Sequence, residues 1–426
     1  MVNSCCVNTS FTGLLILCSF AINTDRDLNF FLFFCVCIRV SSNKKLVSAL
    51  QLNSLQINKA DFIATVYIIE RILNINKMDT EGQFKGAKVT VIGAAGGIGQ
   101  PLSLMLKANF KVGKLSLYDV SETVSGVAMD LSHIDTPAHI EWFTPKNGGL
   151  KKALTGSEYV LVPAGVPRKP GMSRNDLFKI NAGICAELAT AIAEFSPNAT
   201  TLVISNPVNS TVPVFVEILK RHGVFNARKL FGVTTLDSVR ADTFLHRIKP
   251  EMKWGLIRVV GGHSGDTIVP LLSTVLGTEM NKVPRGKIQA VVHHTQYGGD
   301  EVIKAKNGGG SSTLSMAYAA NKFFCTVLNG RDQFSKDHVG CTYVCLEDES
   351  INGVSELKDI LRTFKKDQNL DMKYFAIPCV FGQHGIERVM YECLEKLHPY
   401  EKEMVEICCD SLPGNYEKGL EFTRTY

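Results

Sequence analysis

The chain has little of what membrane proteins and nucleic-acid-binding proteins need. Its two N-terminal apolar runs, residues 14–22 and 30–38, are too short to cross a bilayer, which takes about 20 apolar residues. The formal net charge of +5 is small for 426 residues, and no block of basic residues is present. We therefore expect neither a membrane nor a nucleic acid as a partner.

Cysteine is present without any pairing pattern. The 13 cysteines lack the regular spacing of a small secreted scaffold, so we expect reduced and mostly buried thiols. Cys341 and Cys345 have a spacing loosely suggestive of a metal, but no histidine or second cysteine pair completes a site. The sequence predicts no metal centre.

The N-terminal stretch does not share the organisation of the rest. It has no basic start before its apolar core, as a secretory signal would have, and it is richer in acidic residues than a mitochondrial transit peptide. We expect residues 1–83 to be an extension that is disordered or not native, residues 1–77 to be dispensable, and Met78 to be the natural start.

From residue 84 onwards, predicted strands and helices alternate. Short apolar, β-branched runs at residues 88–92, 114–118, 158–163 and 201–205 predict buried parallel strands, and residues 181–195 predict an amphipathic helix. This alternation implies right-handed crossovers and a doubly wound sheet.

A glycine-rich turn follows the first of these strands. In Gly93-Ala-Ala-Gly-Gly-Ile-Gly99 the glycines stand where Cβ atoms would keep a pyrophosphate from the backbone. Asp119 ends the next predicted strand, where a carboxylate accepts hydrogen bonds from ribose hydroxyls and repels a 2′-phosphate. The pattern therefore favours NAD over NADP, with a purely structural turn as the alternative.

These observations define the predicted fold. It is α/β, a Rossmann doubly wound parallel sheet with a C-terminal α+β catalytic domain, and the length allows for both domains. The predicted boundaries are 84–232 for the NAD-binding domain, 233–412 for the substrate domain with an extra segment at about 350–372, and 413–426 for a C-terminal tail.

A loop with two arginines predicts an anion-binding lid. Arg168 and Arg174 lie six residues apart on a segment punctuated by Pro167, Pro170 and Gly171. A guanidinium matches a carboxylate with two parallel hydrogen bonds and remains charged at physiological pH. A solvated basic turn is the alternative interpretation.

The second half supplies a candidate proton acceptor. Asp237 and Arg240 lie three residues apart, on one face if the segment is helical, and His263 follows two glycines at the end of an apolar run. Histidine suits proton transfer near neutral pH, and a paired aspartate fixes its tautomer. Each residue alone also has an ordinary structural interpretation.

Together these segments resemble the malate dehydrogenases of the lactate/malate dehydrogenase family, in particular their mitochondrial/enterobacterial-type branch. The resemblance covers about residues 86–346, resumes near Ala376, and rests on these segments: GAAGGIGQPLSLMLK, VPRKPGMSRNDLFKINAGI, ISNPVNSTV, GVTTLDSVRADTF and GGHSGDTIVPL. It implies reversible oxidation of L-malate to oxaloacetate with NAD, by a homodimer.

The resemblance also implies roles for residues. His263 would accept the proton with Asp237 as its partner, Arg240 would bind the C1 carboxylate, Arg168 the distal carboxylate, and Arg174 would polarise the reacting carbonyl. Asn206 would hydrogen-bond the substrate oxygen. The implied cofactor-binding residues are Gly93, Ala94, Ala95, Gly96, Gly97, Ile98, Gly99, Asp119, Asn181, Ile204, Ser205, Asn206 and Met316.

Three alternatives remain at this point. A lactate-type enzyme would carry an uncharged residue such as glutamine at position 168, and Arg168 argues against it. A catalytically inactive NAD-binding protein would have lost the base or the arginines. A short-chain dehydrogenase would use Tyr318 and Lys322, which spell a YxxxK motif but lie far from the glycine turn. For the compartment we favour the cytosol, with the mitochondrial matrix as the alternative.

Overall fold

The computed structural model describes residues 86–166, 174–255, 257–331, 338–364 and 371–426, and the backbone of three strands nearer the N-terminus. The side chains of Arg174 and Asn175 are outside this description. The chain divides into two units, Met1–Leu73 and Asn74–Tyr426.

The first unit contains a small antiparallel sheet. Its strands are β1 (Val7–Ser10), β2 (Gly13–Ala21) and β3 (Phe31–Ile38), in that order. Met78 lies outside the described residues. The status of residues 1–83 as a disordered or non-native extension stays a prediction.

The parallel half of the second unit confirms the predicted alternation. Its strands are β4 (Ala87–Ile92), β5 (Val112–Tyr118), β6 (His139–Phe143), β7 (Tyr159–Val162), β8 (Thr200–Val203) and β9 (Leu230–Gly232). The intervening helices are α1 (Gly99–Lys107), α2 (Val124–Ser132), α3 (Gly149–Leu154), α4 (Arg174–Phe195) and α5 (Val208–Arg221).

The order of these strands places the nucleotide-binding crevice. They run β6-β5-β4-β7-β8-β9 and pair in parallel throughout. The strand order therefore switches from one side of β4 to the other at β7, and ligands of open α/β sheets bind beyond the carboxyl ends of the strands at such a point. Strand residues such as Val89 and Leu115 are fully buried, because helices cover both faces of the sheet.

The remaining chain extends the same sheet with antiparallel strands. These are β10 (Arg258–Gly261), β11 (Ile268–Leu271), β12 (Val339–Cys345), β13 (Tyr374–Gly382) and β14 (Gly385–Val389). Tyr343 on β12 pairs with Gly232 on β9, so the sheet crosses the predicted domain boundary at residue 232 without a break. The boundary itself stays a prediction.

Helices pack around this extension. They are α6 (Thr235–His246), α7 (Ser273–Leu276), α8 (Arg285–Ala305), α9 (Leu314–Arg331), α10 (Val354–Thr363) and α11 (Pro399–Thr425). Short 3-10 turns lie at Gly265–Thr267, Gly277–Asn281 and Tyr391–Leu394. No helix among the described residues combines the length and apolar character needed to span a membrane.

Helix α11 occupies the stretch predicted as a C-terminal tail. It runs without interruption through Pro413 to Thr425. Tyr416 and Leu420 continue the buried face begun by Val405 and Leu412, so burial of one face holds the helix together past the proline. The boundary at residue 413 stays a prediction.

The extra segment contains helix α10, on which apolar residues recur at helical spacing. On α10, Val354, Leu357 and Leu361 are buried. The Lys358 ammonium lies 2.9 Å from carboxylate oxygens of both Glu349 and Asp371, which ties the two ends of the segment together.

Candidate active site

The glycine turn joins β4 to α1 in a space that excludes side chains. Gly93 has φ of +96°, and its N–H donates to the Tyr118 carbonyl at 2.8 Å. A Cβ on Gly99 would lie 2.0 Å from the Gly93 carbonyl oxygen. The backbone therefore turns too tightly for any other residue at these two positions, while Gly96 and Gly97 are exposed on the outside of the turn.

Asp119 reaches this turn from the end of β5. Its Oδ2 accepts a hydrogen bond from the Ala95 N–H at 2.8 Å, and its Oδ1 accepts one from the Ser121 N–H at 2.9 Å. The Ala94 N–H donates to the Tyr118 carbonyl at 3.1 Å. The structure thus brings the acidic residue and the glycine turn together, as a ribose and a pyrophosphate require.

Asn181 links two neighbouring crevice segments. Its side-chain oxygen accepts from the Val166 N–H at 2.9 Å, and its Nδ2 donates to the Asn206 carbonyl at 2.8 Å. Asn206 is exposed and lies three residues beyond the end of β8. Asn181 therefore links the segments that follow β7 and β8 at the crevice.

Three predicted cofactor contacts have buried side chains. The Ser205 hydroxyl donates to the carbonyl oxygens of Val162 and Ala164, and Ile204 and Met316 are 2% and 3% exposed. The hydroxyl of Ser205 therefore faces the protein interior. Contact of these residues with a cofactor stays a prediction.

The two arginines of the predicted lid are only partly placed. Arg168 lies outside the described residues, and Arg174 is the first residue of α4. Their roles stay predictions.

His263 and Asp237 form a short buried pair. The His263 Nδ1 lies 2.5 Å from the Asp237 Oδ2, and their side chains are 8% and 0% exposed. Since a carboxylate only accepts, Nδ1 carries the proton and its N–H donates a hydrogen bond to Asp237. Nε2 is then left unprotonated in the neutral ring, which makes it a proton acceptor.

The loop that carries His263 is packed closely against other segments. Gly261 has φ of +99°, and a Cβ there would lie 2.2 Å from the Thr267 carbonyl oxygen. The Gly262 N–H donates to that same carbonyl at 2.7 Å. The glycines before His263 are thus required by a tight turn at the end of β10.

Arg240 lies on α6 one turn after Asp237. Its Nη2 donates to the Ser312 hydroxyl at 2.8 Å, and its Nη1 lies 3.9 Å from the Asp237 Oδ1. A Cβ on Gly298 of α8 would lie 3.2 Å from the Arg240 Nε, so the glycine leaves room for the guanidinium. Burial lowers the pKa of Arg240, and the nearby carboxylate of Asp237 opposes that effect.

Sequence reasoning missed two polar residues that support this site. Asn209 accepts a hydrogen bond from the His263 N–H at 2.8 Å, and Ser312 contacts Arg240 as described. Asn209 lies three residues after Asn206 in the same predicted motif, which is a local signal that could have drawn attention to it. Ser312 follows a glycine run typical of any loop and carries no comparable signal.

The YxxxK motif and the Cys341/Cys345 pair lie apart from this arrangement. Tyr318 is 52% exposed on α9, and the charge of Lys322 acts on Asp242. In the described ranges, no three histidine, cysteine or acidic side chains are placed to hold a metal ion. Cys341 and Cys345 are free, and burial raises the pKa of the Cys345 thiol to about 12.

Two family models match most of the chain. The model for the lactate/malate dehydrogenase NAD binding domain matches residues 87–232, and the model for the lactate/malate dehydrogenase alpha/beta C-terminal domain matches residues 234–423. Both halves of the described sheet therefore fall within one family description.

Characterised relatives and a solved structure agree with these models. The chain is 47% identical to a mitochondrial malate dehydrogenase of Saccharomyces cerevisiae, over 79% of this chain and 93% of the relative. It is 44% identical to a malate dehydrogenase of Idiomarina loihiensis, over 79% and 99%. A crystal structure of Cryptosporidium parvum malate dehydrogenase matches with a TM-score of 0.63 and 27% identity, over 79% and 99% of the two chains.

Proposed function

This chain belongs to the lactate/malate dehydrogenase family and is an NAD-dependent malate dehydrogenase, and we propose on that premise how its residues divide the reaction. The observation that carries the proposal is the buried pair of His263 and Asp237, 2.5 Å apart, beside the Arg240 guanidinium. A base, its anionic partner and a cation for a carboxylate are what oxidation of a 2-hydroxy acid needs.

The glycine turn and Asp119 are proposed to hold NAD. A Cβ at Gly99 would collide with the backbone of Gly93 and Ala94, and the Asp119 carboxylate accepts a hydrogen bond from the Ala95 N–H of the same turn. A tight glycine turn with an acidic residue beside it fits a pyrophosphate and a ribose. When bound, NAD accepts the hydride at nicotinamide C4. Besides the residues 93–99 of the turn, the proposed contacts are Asn181, Ile204, Ser205, Asn206 and Met316.

His263 is proposed to take the proton of the malate hydroxyl on Nε2. Asp237 holds Nδ1–H and stabilises the imidazolium that forms, because the pair is buried and the two charges are adjacent. In the reverse direction the imidazolium returns this proton to the oxygen of oxaloacetate.

Three arginines are proposed to bind and polarise the substrate. Arg240 would pair with the C1 carboxylate, Arg168 with the distal carboxylate, and Arg174 with the reacting oxygen. Asn206, exposed at the crevice, would hydrogen-bond that oxygen. The Arg168 guanidinium would favour a dicarboxylate over lactate, because leaving it unpaired beside the methyl group of lactate costs binding free energy.

One substrate comparison tests the assignment. NADH oxidation by the wild type is measured with oxaloacetate, pyruvate and other 2-keto acids, and by His263→Asn with oxaloacetate. We expect a strong preference for oxaloacetate and loss of activity in the variant. An enzyme without that preference, or a fully active variant, would show the assignment to be wrong.

The assembly and compartment are proposals as well. The family resemblance supports a homodimer. Light scattering of the purified protein should give twice the 46.8 kDa subunit mass.

For the compartment we propose the cytosol. The mitochondrial matrix is the alternative, which the relatives named mitochondrial favour. Fractionation of cells decides between the two compartments.

A further inference from the structure

Asn209 has no role in the reaction as assigned above, yet it is almost completely buried beside the site. It lies in the first turn of α5 and is 1% exposed. Its Oδ1 accepts a hydrogen bond from the His263 N–H at 2.8 Å. Its Nδ2 lies 3.3 Å from the Thr267 hydroxyl and 3.5 Å from the Asn415 side-chain oxygen.

These contacts join three segments that are distant in sequence. Asn209 comes from α5, Thr267 from the turn that follows His263, and Asn415 from the C-terminal helix α11. A buried amide can satisfy both its acceptor and its donors only when all of its partners are in place. Asn209 therefore fixes the backbone of the His263 loop relative to two helices.

The loop itself is shaped to receive these partners. A Cβ on Gly262 would lie 2.8 Å from the Asn209 Nδ2 and 2.9 Å from the Leu412 Cδ1 of α11. The Cys408 thiol of α11 donates to the Thr267 carbonyl at 3.3 Å. Helix α11 thus supports the loop from behind, with Asn209 contacting both the helix and the loop.

We propose that Asn209 is a positioning residue for catalysis, acting through the backbone N–H of His263; this rests on the proposed role of His263 as proton acceptor. The ring of His263 is held at Nδ1 by Asp237 and the main chain is held at N by Asn209. With both ends fixed, Nε2 keeps one position. Proton transfer requires heavy atoms about 2.6–3.2 Å apart, so a loop free to shift would lose the productive geometry.

The test is the Asn209→Ala variant in the full-length enzyme. We expect kcat for oxaloacetate reduction to fall by about 10–100-fold, as a displacement near 1 Å does. The KM for oxaloacetate and the Kd for NADH should stay within about threefold of the wild type, because substrate affinity depends on charge pairing with arginines on other segments. NADH binding is followed by fluorescence and also reports that the variant is folded.

A further variant separates positioning from a general loss of packing. Ser210→Ala is the matched control, since Ser210 is buried in the same turn and its hydroxyl donates to the Asn415 carbonyl at 2.7 Å. It should keep wild-type kcat.

The results that would overturn the proposal are specific. A wild-type kcat in Asn209→Ala, or an equal loss of kcat in Ser210→Ala, contradicts it. Should Asn209→Ala fail to bind NADH, Asn209→Ser carries the same test with a side chain too short to reach the His263 N–H. His263→Asn is measured alongside: if that variant is active, the proposed base is wrong, whereas an inactive His263→Asn with a normal Asn209→Ala refutes only the positioning role.

Discussion

Replacing Asp237 by asparagine isolates the electrostatic part of the mechanism. The change keeps the shape of a fully buried side chain 2.5 Å from the His263 Nδ1. It removes the negative charge that faces the imidazolium once the substrate proton has been taken. If the new amide donates through its NH2 group, it also favours the tautomer protonated on Nε2, which cannot accept a proton.

The magnitude follows from the separation of the charges. At an effective dielectric constant of about 20, two unit charges this close interact by about 7 kcal/mol. An amide dipole retains part of that, and we expect a net loss of about 4–5 kcal/mol of transition-state stabilisation. This corresponds to about a 10³–10⁴-fold fall in kcat. Arg240 offers no replacement, because it is itself a cation.

The assay is steady-state NADH oxidation with saturating oxaloacetate, together with the Kd for NADH. The matched control is Asp242→Asn, on the same helix and 4% exposed, whose carboxylate accepts from the Ile257 N–H at 3.3 Å. We expect the control to stay within about threefold of the wild-type kcat, as sites away from the chemistry usually do. An Asp237→Asn enzyme within tenfold of wild type would refute the reasoning.

Three further predictions concern the substrate, the cofactor and the pH. Arg168→Gln should shift the ratio of kcat/KM from oxaloacetate towards pyruvate, and an unchanged ratio would contradict its role as the distal clamp. Gly99→Ala should raise the Kd for NADH by at least about tenfold, because its Cβ would lie 2.0 Å from a backbone oxygen. The control is Gly126→Ala, whose Cβ meets no atom within 4 Å and which should bind NADH like the wild type. Burial raises the pKa of Asp242 above 3.8, so the folded protein holds this proton more tightly than the unfolded chain. The stability that this proton binding contributes at low pH is therefore lost as the pH rises from about 4 through the folded pKa, so Tm should fall over this range. Asp242→Asn should make this fall in Tm smaller. An unchanged dependence of Tm on pH in the variant argues against a raised pKa.

Local rules account for the part of the molecule that sequence predicted. The strand at β4, the glycine turn and Asp119 lie within one crossover, where hydrophobic periodicity and glycine stereochemistry act over a few residues. Helix α10 likewise follows from apolar spacing. The pairing of Asp237 with His263 was expected from the resemblance to a family, and neither residue type nor spacing alone would have established it.

Long-range contacts account for the features that could not be predicted from the sequence. Asn209 meets His263 across 54 residues, and Arg240 meets Ser312 across 72 residues, separations at which a local pattern does not show which residue is the partner. Pro413 and Gly414 resemble a helix end in the sequence. The structure continues α11 through them because Tyr416 and Leu420 pack on the protein.

The central claim, that His263 accepts the proton as hydride leaves malate, is tested most directly by a single turnover of His263→Asn. Enzyme in excess is mixed with NADH and oxaloacetate, so that chemistry is observed apart from product release. The account predicts a Kd for NADH like that of the wild type and a rate of NADH oxidation lower by at least about 100-fold. A wild-type single-turnover rate in this variant would contradict it.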